Sequence, residues 1–343
     1  MKKLQPLPLP AIPIQTSWDS NLKQEAFQES CGLYSCPFHK TAMESKIINR
    51  IRQKGPLTGA ELRDAFGGDP FLIWKSCMQS RELSVRRVGT CFLRLDQRVA
   101  GLARLSPSIL REFLTYSVIG LLSDANGLEH RAQEVSAHIR EVSKGKRDLA
   151  RSIVTEIVAR LHNRWIGDDD LCVIIAGDIV YDMAHNVPRP ERSTGKMIQG
   201  SDLDLVFILD DRVPDDAMQQ LDEAIYQDKY RYLINPSMRE EIDYIVKKLD
   251  RVREQIAFDT FKRMVACKIL HEGILLYGSD ALFLTAKSLL GEHGVTAKLE
   301  AMHKEAEKFR QHAEAYLLGE HPDGIHDEDL YLFYTAEESE EFE

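Results

Sequence analysis

Cysteine is scarce in this sequence: Cys31, Cys36, Cys77, Cys91, Cys172 and Cys267 are the only six in 343 residues. Their scatter through a mid-sized chain argues against a disulfide framework and for a reducing, cytoplasmic setting. Long apolar runs are missing. None approaches the roughly 18–20 residues that span a bilayer, so no membrane partner is expected. The opening MKKLQPLPLPAIPIQ interrupts its apolar residues with prolines, which breaks the continuous core of a secretory leader and reads as an extended arm. Net positive charge is absent as well. At −10 the chain cannot coat nucleic acid along its whole surface, because neutralising phosphates needs a basic face, so any such contact must be local. No G-x-x-x-x-G-K-[ST] occurs, since STGK ending at Lys196 lacks the preceding glycine. His271-Glu272 lacks the second histidine of a zinc-protease helix.

A length of 343 residues is enough for about two to three domains, and the 43% that are hydrophobic make a sizeable core available. Residues 1–40 form a Pro-rich arm ending in ESCGLYSCPFHK, where Cys31, Cys36 and His39 have a C-x4-C-x2-H spacing. Two thiolates and an imidazole can share zinc, but a closed site needs a fourth ligand, and a turn with buried thiols is the plainer reading. Helical periods begin near Glu44. A second helix is expected from the cap Thr58 to Phe66 and a third from Pro70 to Arg81, with Pro at a helix start. Two β-like runs, LSVRRV and CFLRL, follow, joined at Gly89-Thr90. Three helices and a hairpin resemble a winged helix, over 41–100. That stretch holds eleven Lys or Arg against six Asp or Glu. Lys75, Arg81, Arg86, Arg87 and Arg94 would lie on its third helix and wing, where such folds meet nucleic acid; protein contact or dimerisation is the alternative.

Residues 101–165 read as a helical connector. LSPSILREFLTYSVIGLLSDANG is expected to be helical, as is Leu128–Trp165, where Ile139, Val142, Leu149, Ile153, Ile157 and Leu161 recur at three- and four-residue steps. SKGKRDLARS within it is a candidate break.

The chemistry concentrates further on. Leu171–Ala176 is a short apolar run bounded by acids and Gly177, which suits a buried strand, as does LDLVFIL, Leu203–Leu209. A third strand is expected in EEIDYIVKKL. Asp202 and Asp204 stand two apart and therefore project to one face, with Asp243 available on a neighbouring strand. Carboxylates that close repel one another unless a cation neutralises them. Mg²⁺, or Mn²⁺ in its place, takes hard oxygen ligands and commonly shares its shell with substrate phosphates. Two such ions would bridge an attacking hydroxyl and a leaving pyrophosphate.

GSDLDLVFIL, preceded by VIIAGD and followed by EIDYIV, resembles the nucleotidyltransferase superfamily of DNA polymerase β. The local wording GSDLDLVF is similar to the adenylyltransferase that modifies glutamine synthetase. VACKILHEGILLYGSDALF looks like the helix and Leu-Tyr-Gly turn of minimal nucleotidyltransferases. The resemblance covers roughly 171–283. It implies that Asp202, Asp204 and Asp243 hold metal, with Asp243 activating the acceptor hydroxyl, and that the Gly177 turn approaches a triphosphate. Two departures stand out. Asp178 occupies the position where the family has Ser or Gly, and its carboxylate would repel a phosphate. The interval from Gly177 to Asp202 is about twice the usual distance, implying an inserted loop with Arg189, Arg192 and Lys196. Those cations could supply phosphate contacts, or Gly200-Ser201 could take part of that role, or the loop could be a passive surface.

The expected architecture is α+β. A winged-helix-like domain (41–100) and helical connector (101–165) precede a nucleotidyltransferase core with a mixed β-sheet flanked by helices (166–255). A C-terminal helical region with an acidic tail (256–343) follows, including a helix after Gly294 to Leu318. The implied activity is metal-dependent transfer of a nucleoside monophosphate from an NTP, ATP first, to a hydroxyl acceptor. Protein or RNA is favoured over an antibiotic as acceptor. The alternative is a winged-helix nucleic-acid-binding regulator with a nucleotide-sensing or degenerate transferase domain.

Overall fold

A computed structural model describes residues 42–161, 167, 169–191, 195–319 and 327–334. The arm with Cys31, Cys36 and His39, Arg192, and the last nine residues of the acidic tail lie outside the described residues. The chain from Thr41 on packs as one unit of mixed helix and strand.

Its first part follows local capping signals. After α1 (Ala42–Lys54) and β1 (Leu57–Thr58), α2 (Gly59–Phe66) opens on a capping box: the Glu61 N–H donates to the Thr58 hydroxyl, and the Glu61 carboxylate accepts from the Thr58 N–H. α3 (Pro70–Gln79) has Asp69 as its cap and Pro at its first position. β2 (Leu83–Arg87) comes next, and here the expected hairpin fails. β2 does not pair with the following strand, β3 (Phe92–Leu95), which instead pairs with β4 (Ala103–Ser106). Beyond α4 (Ile109–Thr115), β5 (Ser117–Leu121) returns to lie between β1 and β2, antiparallel to both. The stretch expected to be wholly helical therefore contributes a strand. Val118 and Ile119 are fully buried at the centre of this sheet, and so short an apolar run has the same pattern in a buried strand as in a buried helix.

α5 (Ala125–Leu161) runs without a break at the candidate position SKGKRDLARS. Lys146 turns inward, where its Nζ donates to the Gln199 carbonyl and to Glu240, each at 2.7 Å. Ser143 accepts from the Ala184 N–H, and Arg147 reaches the Ile179 carbonyl. The polar stretch stays helical because its side chains anchor the loops of the next sheet.

That sheet is assembled from β6 (Leu171–Ile175), a 3-10 turn (Gly177–Tyr181), a small pair β7 (Arg189–Pro190) and β8 (Met197–Ile198), β9 (Leu203–Leu209), α6 (Asp215–Ile234) and β10 (Ile242–Lys248). α7 (Leu249–Gln255) and α8 (Phe261–Glu272) lead to β11 (Ile274–Gly278), then α9 (Asp280–Glu292) and α10 (Val295–Leu318). The strand order is β10-β9-β6-β11, with β9 and β10 parallel across the α6 connection and the other pairs antiparallel. ILLYG, expected to belong to a helix and turn, is the edge strand β11: Gly273 ends α8, and the run that follows pairs with β6. Strand alternation splits the core in two. Val173, Ile175, Leu205 and Phe207 face α5 and α6, whereas Cys172, Ile174, Val206 and Ile208 face α7 to α10.

Residues 327–334 return to α3. A 3-10 turn (Asp327–Leu332) delivers Phe333, fully buried, with ring centroids 5.3 Å from Phe71 and 5.2 Å from Trp74 on α3. Lys75 and Gln79 of α3 donate to the carbonyls of Gly319 and Leu318. Among the described residues no helix is long and apolar enough to cross a membrane.

Candidate metal centre

β9 and β10 run parallel in a register that sets Asp243 opposite Asp204. Both carboxylates share the face of Val206 and Ile208, while Asp202 precedes β9 by one residue and joins them. One carboxylate oxygen from each of the three lies within 4.8 Å of the others. Asp202 and Asp243 keep about a third of their side-chain surface in solvent (35% and 32%). Three partly solvated carboxylates suit a hard divalent cation that retains waters.

The triad is already bordered by cations. Arg189 Nη2 lies 3.3 Å from Asp202 and 2.8 Å from Glu241, and its Nε donates to the Gly200 carbonyl at 2.9 Å. Lys229 Nζ, from α6, is 2.8 Å from Asp243. Glu241 is a fourth acid of the cluster. Burial, with Asp202 and then Asp243 beside it, pushes its carboxyl up to about 7 against the pull of Arg189. Glu240 is raised too, by burial, with Lys146 opposing.

Behind the triad, Gly177 takes φ +71°, and a Cβ there would overlap the Asp204 carboxylate, so glycine is required on both counts. Asp178 is held by the Ser201 hydroxyl at 2.9 Å, with Arg111 Nη1 3.7 Å away, so its charge is partly balanced within the chain. Ser201 is thus tied to Asp178 and to the His185 N–H. Gly200, at φ +66°, would collide through a Cβ with the His185 backbone. The Gly177 N–H donates to the Glu272 carboxylate at 3.2 Å.

The structure thus brings together Asp202, Asp204 and Asp243, with Gly177, Asp178, Gly200 and Ser201 close by. Lys196 sits exposed beside β8. The basic residues expected to meet nucleic acid are dispersed among separate partners. Lys75 bonds Gly319, Arg86 pairs with Glu129 at 3.4 Å, and Arg87 pairs with Glu112 and Glu314 at 2.7 Å each. Arg81 lies in the turn after α3, and Arg94 lies on β3, which belongs to a different sheet from β1-β5-β2. Sequence reasoning missed Lys229, Glu241, Arg111, Tyr181 and the role of Glu272. Only Glu241 carried a signal, as part of the acidic run before Asp243. Compared with family models and with curated proteins, the chain matches none at a significant level.

Proposed function

We propose that the protein is a metal-dependent nucleotidyltransferase. The observation carrying this reading is the convergence of Asp202, Asp204 and Asp243 on one face of adjacent strands, beside a glycine turn that admits no side chain. The three carboxylates would hold Mg²⁺ or Mn²⁺. When bound, the metal supplies charge stabilisation for the phosphoryl oxygens and the departing pyrophosphate.

The chain's own groups do the rest. Asp243, about a third exposed and near the start of β10, takes the proton of the acceptor hydroxyl. That oxygen forms its bond to the α-phosphorus of an NTP, ATP first, as the bond to the bridging oxygen breaks and pyrophosphate leaves. Arg189 orients Asp202 and the Gly200 loop. Lys229 borders Asp243 and offers positive charge to the incoming phosphates.

A protein or RNA hydroxyl is the acceptor this reading favours. The strand order β1-β5-β2 beside α1 to α3 supports a winged-helix-like reading of this part, in which β5 would be the returning wing strand. The alternative, a nucleic-acid-binding regulator, is disfavoured because α3, its reading helix, packs under Phe333 and the end of α10. Incubation with α-labelled NTPs and Mg²⁺ or Mn²⁺, against protein and total-RNA acceptors, tests the proposal. Label transfer that disappears in Asp202→Ala/Asp204→Ala is expected; equal labelling by both proteins, or none with any acceptor, sinks it.

A further inference from the structure

Three hydrogen-bond donors converge on one carboxylate next to the triad. Glu272 Oε1 accepts from the Gly177 N–H at 3.2 Å and from Lys268 Nζ at 2.9 Å. Glu272 Oε2 accepts from the Tyr181 hydroxyl at 2.9 Å. The Lys268 and Glu272 side chains are 4% and 2% exposed, so this is a built, desolvated site. Its floor is rigid, because the Tyr181 ring stacks on Phe92 at 4.2 Å.

A backbone N–H at φ > 0, an ammonium and a phenol are the donors that bind a phosphate, and a carboxylate is the side chain that most resembles one in charge and acceptor geometry. A phosphate group offers three oxygens and more negative charge to the same three donors. Gly177 adjoins Asp204, so an anion here would sit beside the metal-binding face. Resting on the nucleotide reading above, we infer that Gly177 N–H, Lys268 and Tyr181 form an oxyanion site for a phosphate of the nucleotide, and that Glu272 is its internal occupant when no phosphate is bound.

Glu272 has somewhere to go. A cavity of about 290 Å³ between α8 and α10 is lined by Tyr181, Lys268, His271, Glu272, His303 and Lys304. Lys304 can receive the displaced carboxylate there, and Lys287 on α9 also lies close enough for Glu272 to influence its titration. Nucleotide binding then exchanges one anion for another at Lys268, and the buried ammonium is never left without a counter-charge. The exchange makes affinity weaker than the donors alone would give, since the incoming phosphate must displace Glu272.

Inorganic tripolyphosphate is the probe, titrated calorimetrically with Mg²⁺ and again in EDTA, against wild type, Glu272→Gln, Glu272→Ala and Glu272→Ala/Lys268→Met. Both single variants should bind at least about tenfold more tightly than wild type in one or both conditions, and the double variant should lose most of that gain. Tripolyphosphate should also raise the melting temperature of Glu272→Gln more than that of wild type, because the added anion compensates Lys268. Glu272→Gln keeps the shape of the side chain and decides the matter if Glu272→Ala does not fold. Single variants no tighter than wild type in both conditions, or a double variant as tight as Glu272→Ala, overturn the inference. ATP titrated in parallel distinguishes a nucleotide site from a general phosphate site: the first predicts a larger gain for ATP than for tripolyphosphate. Neither titration needs an acceptor, so absent label transfer with intact tripolyphosphate tightening removes only the transferase reading.

Discussion

Asp243 stands directly opposite Asp204 in the parallel ladder of β9 and β10. Two like charges in register are unfavourable without a cation, so the pairing separates metal affinity from stability. Asp204→Asn should melt higher than wild type in EDTA yet bind Mn²⁺ at least about tenfold more weakly. Calorimetric Mn²⁺ titration with melting curves in EDTA checks both halves. Unchanged Mn²⁺ affinity would remove the triad from consideration as a metal centre.

Glu241 makes stability depend on pH. Its carboxyl is raised from 4.5 to about 7 in the folded protein, so the native state binds more protons than the unfolded chain between those values. Its contribution therefore falls as pH rises through that window, and the full penalty is present above about pH 7. Glu241→Gln should match wild type near pH 4.5 and exceed it at pH 8 by about 1 kcal/mol after allowance for solvent screening. Urea melts across the window measure the crossover. A difference independent of pH would assign the effect to packing instead.

Arg189 is both a positioning group and a competing cation. Its fork spans the Gly200 carbonyl, Asp202 and Glu241, which the single ammonium of lysine cannot reproduce. Arg189→Lys should tighten Mn²⁺ binding modestly while lowering label transfer by about tenfold. A loss of both together would mean that the side chain only maintains the fold.

Phe333 closes the hydrophobic cluster formed by α1 to α4. Fully buried between Phe71 and Trp74, it leaves a large cavity when truncated. Phe333→Ala is expected to cost about 3–5 kcal/mol. A urea melt reads the loss, and Trp74 emission should shift red. A change under 1 kcal/mol would show that the final turn merely rests on α3.

The described cysteines are structural. Burial pushes the thiols of Cys77, Cys91 and Cys172 up to about 12, with Glu112 adding to the effect at Cys91, and that of Cys267 to about 11. At pH 8 these four should resist iodoacetamide in the native protein and react fully in urea, as peptide mass spectrometry would record. Rapid native labelling of Cys172 would contradict its place in the sheet.

Elements governed by local signals were legible in the sequence. The cap at Thr58, the strand Leu203–Leu209 and the helix ending at Leu318 all follow from capping or continuous apolar pattern. The clustering of Asp202, Asp204 and Asp243 was legible because alternation fixes which acids share a face. Pairings were not. Nothing local to LSVRRV says that its partner is SVIGL rather than CFLRL, and β11 reads as helix until β6 is beside it. Lys229 and Glu272 were invisible for the same reason, since their meaning comes from α6 and α8 crossing near Asp243 and Gly177.

Phe333 also sets an order of events. The hydrophobic cluster of α1 to α4 includes Ala313, Leu317 and Phe333, which leave the ribosome on the order of tens of seconds after α3. Until then Phe71 and Trp74 have no lid. The α1 to α4 cluster is therefore completed only after α10 is made, and a nascent chain stalled before α10 would expose an aromatic face that chaperones bind.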